Sequence, residues 1–324
     1  MKAIQVKEFG GPDVLRLVDV ARPVPKGREV LVEVKAIGVN YADIARREGQ
    51  YVIDTPLPFT PGAEIAGVVA EIGDQVENVK VGMPVVTLIS STGYAEYAIA
   101  DEQSLIPIPN GIDYHQAVAL PLQGLSAYHI LKTMGRLERD ESVLIHAAAG
   151  GVGTLAVQLA NLFGARKIIA TASTDEKLAL AKELGATDVI NYTNSDWEQQ
   201  VLACTDGSGV DVALEMAGGE VFHKTLTCLS SFGRMVIYGV ASGQPAKFSP
   251  SRLMEKNQSV IGFFLPQIMR KPQLFKQSLT DLLTYLQNGD LKLTIGGVYK
   301  LEEATTVHRL LQSRKTAGKL VLEP

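Results

Sequence analysis

The sequence predicts an α/β protein in which a doubly wound parallel sheet is set within a β-rich domain. Three observations predict it. A glycine-rich turn, Ala147-Ala-Ala-Gly-Gly-Val-Gly153, joins a short apolar run, Ser142–His146, to a helical pattern reaching Gly164. Strand and helix patterns then alternate as far as residue 263, which implies strands wound in parallel by helices. Before that, the first 110 residues carry many short strands separated by Gly, Pro and Asp, the pattern of a compact, partly closed β domain.

Bulk properties narrow the class. A chain of 324 residues suggests about two domains, and 46% hydrophobic with 20% charged residues is ordinary for a globular protein. No apolar run reaches the roughly 18–20 residues that span a bilayer. The start, Met1-Lys-Ala-Ile-Gln-Val-Lys-Glu8, reads as an alternating strand and not as a signal peptide, so a cytoplasmic protein without a membrane partner is expected. A net charge of −4 argues against a nucleic-acid partner. Cys204 and Cys228 are too few for a disulfide framework or a metal knuckle and read as reduced core thiols.

In chain order, strands are expected at Val30–Ala36, Gly67–Gly73, Val85–Leu88 and Tyr94–Ala100. Asn40–Arg47 looks helical, and Thr55–Pro61, with three prolines, resists a strand reading. Residues 114–134 turn helical, with Pro121 and Gly124 as interruptions. Strands follow near 142–146, 167–171, 187–191, 210–215, 233–238 and 258–263, with helices near 151–163, 175–184, 195–204 and 220–230. Two helices, near 272–288 and 302–313, lead to a last strand, Gly318–Glu323, that packs back on the first domain. The expected boundaries are 1–120, 121–265 and 266–324.

The glycine turn points to a dinucleotide. The helix behind it offers free N–H groups and the positive end of its dipole, and glycines let the backbone approach a pyrophosphate. Ala148 stands in the first glycine place, with Gly150 and Gly153 in the other two. An acid at the tip of the second strand would select NAD through the ribose 2′-OH. Here Lys167–Thr171 ends in Ala172-Ser173-Thr174, with Lys177 one turn on. A hydroxyl and an ammonium suit a 2′-phosphate, which favours NADPH. Ser173 with Glu176 also reads as a capping box, and Lys177 as a solvated lysine.

Five motifs fall in one order: Val39-Asn40-Tyr-Ala-Asp43, Pro61-Gly62-Ala-Glu64-Ile-Ala-Gly67-Val68, Leu120-Pro-Leu-Gln-Gly-Leu-Ser-Ala-Tyr128, the glycine turn, and Gly318-Lys-Leu-Val-Leu322. On these the sequence resembles the medium-chain dehydrogenase/reductase superfamily and, within it, the zinc-free quinone oxidoreductases related to zeta-crystallin. The resemblance implies a Rossmann domain inserted into a GroES-like catalytic domain, with the cofactor in the cleft between them. It also implies a homodimer joined through edge strands of the Rossmann sheet, which puts 233–263 at or near the interface.

The metal question follows residue by residue. Zinc-dependent members carry a Cys ligand before the Asp corresponding to Asp43 and a Gly-His-Glu triplet. This chain has no Cys in Gly38–Asp43, Ala63 in the triplet's central place, and no four-cysteine lobe near 90–110. A catalytic zinc needs about three protein ligands, so no metal is expected. Without that electrophile, hydride goes to an acceptor activated by its own carbonyl: a quinone, or an alkene conjugated to a carbonyl. An enoyl-thioester reductase, and an NADPH-binding structural or regulatory protein of the crystallin kind, are the competing readings.

The resemblance also assigns site residues. Tyr51, in Gly49-Gln-Tyr51, matches an active-site tyrosine able to donate to a substrate oxygen; its other reading is a loop tyrosine packed on 56–61. Asn40 matches an asparagine near the nicotinamide, or is a buried turn amide. A second tyrosine common in the family is replaced by Ala45, which opens the pocket. Asp43 and Glu64 read as structural. For the cofactor, Ser126 faces the nicotinamide ribose. Gly150, Gly151, Val152 and Gly153 meet the pyrophosphate, and Ser173 and Lys177 the 2′-phosphate. Tyr192 covers the adenine or serves as a core aromatic. Ala217, Gly239, Val240, Phe263 and Leu265 are wall residues at strand ends, and Lys319 reaches in from the tail.

Overall fold

The computed structural model describes all 324 residues. They form two compact units, Met1–Leu122 with Thr294–Pro324, and Gln123–Leu293. The first unit opens with β1 (Lys2–Gln5) and β2 (Arg16–Asp19), an antiparallel pair, followed by β3 (Glu29–Val39), α1 (Tyr41–Arg47) and β4 (Glu64–Ile72). β5 (Pro84–Leu88), β6 (Tyr97–Asp101), β7 (Leu105–Pro107) and α2 (Tyr114–Ala117) follow, and α3 (Pro121–His129) leads into the second unit.

That unit continues with β8 (Ser142–Ile145), α4 (Gly151–Leu162), β9 (Lys167–Ala172), α5 (Asp175–Glu183) and β10 (Asp188–Asn191). After them come α6 (Trp197–Cys204), β11 (Val210–Glu215), α7 (Gly219–Thr227), β12 (Leu229–Ile237), β13 (Ser259–Gly262), α8 (Leu265–Met269) and α9 (Pro272–Gln287). The tail of the first unit holds β14 (Ile295–Lys300), α10 (Ala304–Gln312) and β15 (Lys319–Glu323).

In the first unit β3 is the organising strand. It pairs antiparallel with β4, β6 and β15 in a seven-stranded sheet of order β14-β15-β3-β4-β5-β7. Val30, Val32, Val34, Ile37 and Val39 line its buried run and join Ile65, Val85 and Leu322 in one core. The expected final strand is found as β15. β14, whose side chains alternate in burial, lies outside the elements expected from the sequence.

The second unit is a six-stranded sheet of order β10-β9-β8-β11-β12-β13, parallel throughout. Strand order reverses between β8 and β11, which is the topological switch point where open α/β sheets bind ligands. Leu144, Ile169, Ala213 and Met235 form its core with Trp197 and Phe222 from the helices.

Three expectations need correcting. Gly124 does not interrupt α3 but sits inside it, because the missing Cβ costs a helix interior only about 1 kcal/mol. The fifth strand begins at Leu229, four residues before the expected 233. The chain re-enters the first unit at Thr294, not at residue 266. α9 is held in the second unit because Tyr128 Oη donates to Asp281 Oδ2 at 2.7 Å and His129 Nε2 lies 3.0 Å from Ser278 Oγ. The Gln158 amide then clamps the chain just before it leaves, donating to Lys292 O at 3.0 Å and accepting from Lys292 N at 2.8 Å.

Candidate active site

The second unit carries an anion cradle at its switch point. Ala147 takes φ +48°, Gly150 N donates to Ala147 O at 2.8 Å, and Gly150 then caps α4 without a side chain. The first N–H groups of α4, on Gly151, Val152 and Gly153, have no acceptor one turn back, as at any helix start. A Cβ on Gly153 would stand 2.3 Å from Ala147 O, and one on Gly151 would stand 2.1 Å from the Gln123 side chain. Gly153 is therefore required by close approach to backbone, whereas at Gly151 the atoms in the way are the end of the flexible Gln123 side chain. Ala148, in the first glycine place, keeps negative φ; it is buried, and its N–H binds Thr171 O at 3.0 Å, so an alanine suffices there. The cradle fits a pyrophosphate, whose charge would meet uncapped N–H groups and a dipole end.

At the tip of β9 the cap falls one residue later than expected. Thr174, not Ser173, is the N-cap of α5, and its Oγ1 accepts from Lys177 N at 3.4 Å. The hydroxyl of Thr174 also helps hold the Glu176 carboxyl below its ordinary range. Ser173, half-buried, is thereby released from capping. Lys177 is half-buried as well, and burial pulls its ammonium below the usual lysine value.

Beyond the switch point, Glu215 ends β11 as a fully buried carboxyl that sequence reasoning missed. Its Oε1 accepts from Ala217 N at 2.7 Å and Gly218 N at 2.8 Å, while Oε2 has no hydrogen-bond partner. Burial drives its pKa up, against the two N–H bonds. Glu215 thus shapes the loop bearing Ala217, whose carbonyl accepts from Ser242 N at 2.9 Å and so ties it to the loop after β12. The only signal in sequence is an acid closing an apolar strand. Gly239 and Phe263 are half-buried at neighbouring strand ends, Val240 is exposed, and Leu265 is buried as the first residue of α8. Ser126 is buried on α3. Tyr192, partly buried, packs against the Trp197–Phe222 core.

In the first unit, Asn40 sits at the N-cap of α1 in a buried polar network. Its Oδ1 accepts from Lys319 Nζ at 2.8 Å, and its Nδ2 donates to Gly38 O at 3.0 Å and Glu64 Oε2 at 3.2 Å. Lys319 Nζ also binds Glu64 Oε2 at 2.5 Å, and Glu64 Oε1 accepts from Leu122 N at 2.6 Å. The Lys319 side chain is buried, because an ammonium withdrawn from water needs a counter-charge, and Glu64 supplies it.

Behind Asn40 lies a second buried chain. Asp43 accepts from Asn40 N at 2.9 Å, Gly62 N at 3.2 Å and Tyr94 Oη at 3.4 Å. Tyr94 Oη lies 3.0 Å from His308 Nε2, and Arg47 Nη1 lies 3.2 Å from His308 Nδ1. Arg47 can only donate, so Nδ1 accepts and Nε2 carries the proton. Burial lifts the Asp43 carboxyl to about 6, while burial and then Arg47 push His308 down to about 3. Asp43 and Glu64 each anchor a buried hydrogen-bond network within the first unit.

Tyr51 is half-buried on the loop after α1. Burial raises its phenol above the ordinary value, so it keeps its proton near neutral pH and can donate. Arg46, a residue sequence reasoning passed over, places its guanidinium carbon 5.8 Å from the centroid of the Tyr51 ring. The second unit thus carries an anion cradle with a hydroxyl and an ammonium on the following strand end and helix, and the first unit carries a phenol donor and a fixed amide.

The fold and these features define a medium-chain dehydrogenase/reductase. Residues 26–110 match the alcohol dehydrogenase GroES-like domain family, and residues 151–284 the zinc-binding dehydrogenase family. Human quinone oxidoreductase is 35% identical over 99% of this chain and 97% of its own length. Among solved structures, the Escherichia coli quinone oxidoreductase complexed with NADPH has a TM-score of 0.95 at 32% identity, covering 100% of both chains. The Thermus thermophilus quinone oxidoreductase, solved with and without NADPH, has a TM-score of 0.88 at 36% identity over 100% of both chains. The chain belongs to the quinone oxidoreductase family related to zeta-crystallin.

Proposed function

We propose that this protein is an NADPH-dependent oxidoreductase that reduces a quinone or the activated double bond of an α,β-unsaturated carbonyl without zinc. The observation that carries the reading is the uncapped, glycine-lined start of α4 at the switch point, with Ser173 just past the tip of β9 and Lys177 in the first turn of α5, behind Asp175 and Glu176, which partly oppose an anion there. NADPH, when bound, supplies a hydride. The N–H groups of Gly151, Val152 and Gly153 hold its pyrophosphate, and Ser173 and Lys177 take its 2′-phosphate through charge-assisted hydrogen bonds. Ala217, Gly239, Val240 and Phe263 form the wall at the strand ends. Tyr51 donates to the substrate oxygen and gives up its proton as negative charge develops there. Ala63 in the place of an imidazole supports the zinc-free reading.

The same reading includes a homodimer. β13 ends the six-stranded sheet with one edge unpaired, and Phe232 and Met254, 69% and 75% exposed, belong to the β12–β13 region. An unpaired edge with apolar neighbours is a template for a second copy. Light scattering of the purified protein tests this; a monomer at every concentration overturns it. A cytoplasmic setting completes the reading, and no helix is long and apolar enough to cross a membrane.

The deciding experiment follows NADPH consumption with a para-quinone, a small enone and an enoyl-CoA in parallel, with and without a zinc chelator. Turnover of the first two, unaffected by the chelator, is expected. Tight NADPH binding without turnover of any acceptor overturns the proposal, and preference for the enoyl-CoA moves it to the thioester reductases.

A further inference from the structure

α1 carries a cation that the reading above leaves unused. Arg46 is half-buried, and its guanidinium carbon lies over two aromatic rings, 5.5 Å from the Phe59 centroid and 5.8 Å from that of Tyr51. Its Nη1 donates to Ser90 O, and its Nε donates to Thr55 Oγ1 at 3.3 Å. These bonds anchor it from two different segments. No carboxylate forms an ion pair with it, although its neighbour Arg47 is paired with Glu48. The charged groups acting on Tyr51 are thus Arg46 and Asp43, both from α1, and they act in opposite directions.

We propose that Arg46 is a positioning residue for Tyr51, holding the ring in place and stabilising the phenolate left when Tyr51 gives its proton to the reduced substrate. The inference rests on Tyr51 being the proton donor. In the step, the Tyr51 O–H bond breaks and a new bond to hydrogen forms on the oxygen of the enolate or of the hydroquinone monoanion left by hydride transfer. The electron pair arrives with the hydride, so NADPH is oxidised and the acceptor reduced. The phenolate then recovers a proton from water. A cation over the ring face interacts with the added ring charge of a phenolate more strongly than with a neutral phenol. The differential interaction therefore lowers the barrier instead of merely tightening the ground state. Asp43 pulls the other way.

The test is a cycle of variants assayed with a small enone under saturating NADPH. Arg46→Gln is expected to lower kcat about tenfold and to raise the solvent deuterium isotope effect, with NADPH affinity unchanged. In a Tyr51→Phe background the same substitution should change kcat less than about twofold, since no phenolate forms. Arg46→Lys, which keeps the charge but loses the planar fork that binds Ser90 O and Thr55 Oγ1, should fall between the parent and the glutamine variant. An equal loss from Arg46→Gln in both backgrounds, or equal loss from the lysine and glutamine variants, overturns the inference and leaves Tyr51 standing. A Tyr51→Phe enzyme as fast as the parent removes the donor itself, and the inference with it.

Discussion

Lys319, the first residue of β15, places its ammonium 2.5 Å from a carboxylate oxygen of Glu64, the first residue of β4, and both side chains are buried. The pair joins the returning tail to the strand after the Tyr51 loop, and Asn40 completes it by accepting from the same ammonium at 2.8 Å. It holds the candidate active-site amide in one orientation, with its oxygen toward Lys319 and its nitrogen toward Glu64 and Gly38.

Removing one partner of such a pair strands a buried charge. Lys319→Met should destabilise the protein by about 3–5 kcal/mol, and adding Glu64→Gln should recover part of the loss. Urea denaturation of both single variants and the double variant measures this. Strict additivity would mean that the two groups do not interact.

Lys177→Ala should weaken NADPH binding by about tenfold or more and leave NADH binding nearly unchanged, because only NADPH carries the 2′-phosphate. Fluorescence titration with each nucleotide decides the matter. Equal losses would show that Lys177 does not read the phosphate. Ser173→Ala should act in the same direction without loss of helix stability, since Thr174 is the cap.

Three buried histidines give acid sensitivity. Burial lowers His129 and His146 to about 4, and burial with Arg47 lowers His308 to about 3, from an ordinary 6.5. The unfolded chain binds these protons first, so their stabilising contribution is complete above about pH 6.5 and is lost as pH falls toward 4. Asp43, raised to about 6, opposes them, gaining stability as pH falls from 6 toward 3.8, and Glu215, also raised by burial, acts in the same direction, but they are two groups against three. The melting temperature should therefore drop between pH 7 and pH 4.5; calorimetry showing a rise would contradict this balance.

Much of the fold was legible because its signals are local. Alternating strand and helix patterns, with β-branched runs at 142–145, 167–172 and 210–215, need only short-range periodicity, and the observed strands fall there. The cradle was legible too, since a turn that must approach a pyrophosphate leaves glycines where a Cβ would strike Ala147 O or Gln123. α9 was misplaced because its amphipathic face does not say which unit it covers; the Tyr128–Asp281 bond does.

By itself, the sequence determined the parallel sheet, the β-rich first domain, the glycine turn and the absence of an acid at the tip of β9. Those features follow from residue type at short spacing. Only the tertiary structure decided that Lys319 faces Glu64 across 255 residues and that Thr174 caps α5 in place of Ser173. It also decided that Glu215 is buried with one oxygen unpaired and that Arg46 lies against the Tyr51 ring. The physical reason is that burial and charge pairing depend on which distant groups the packed chain brings within a few ångströms, and no local pattern records that.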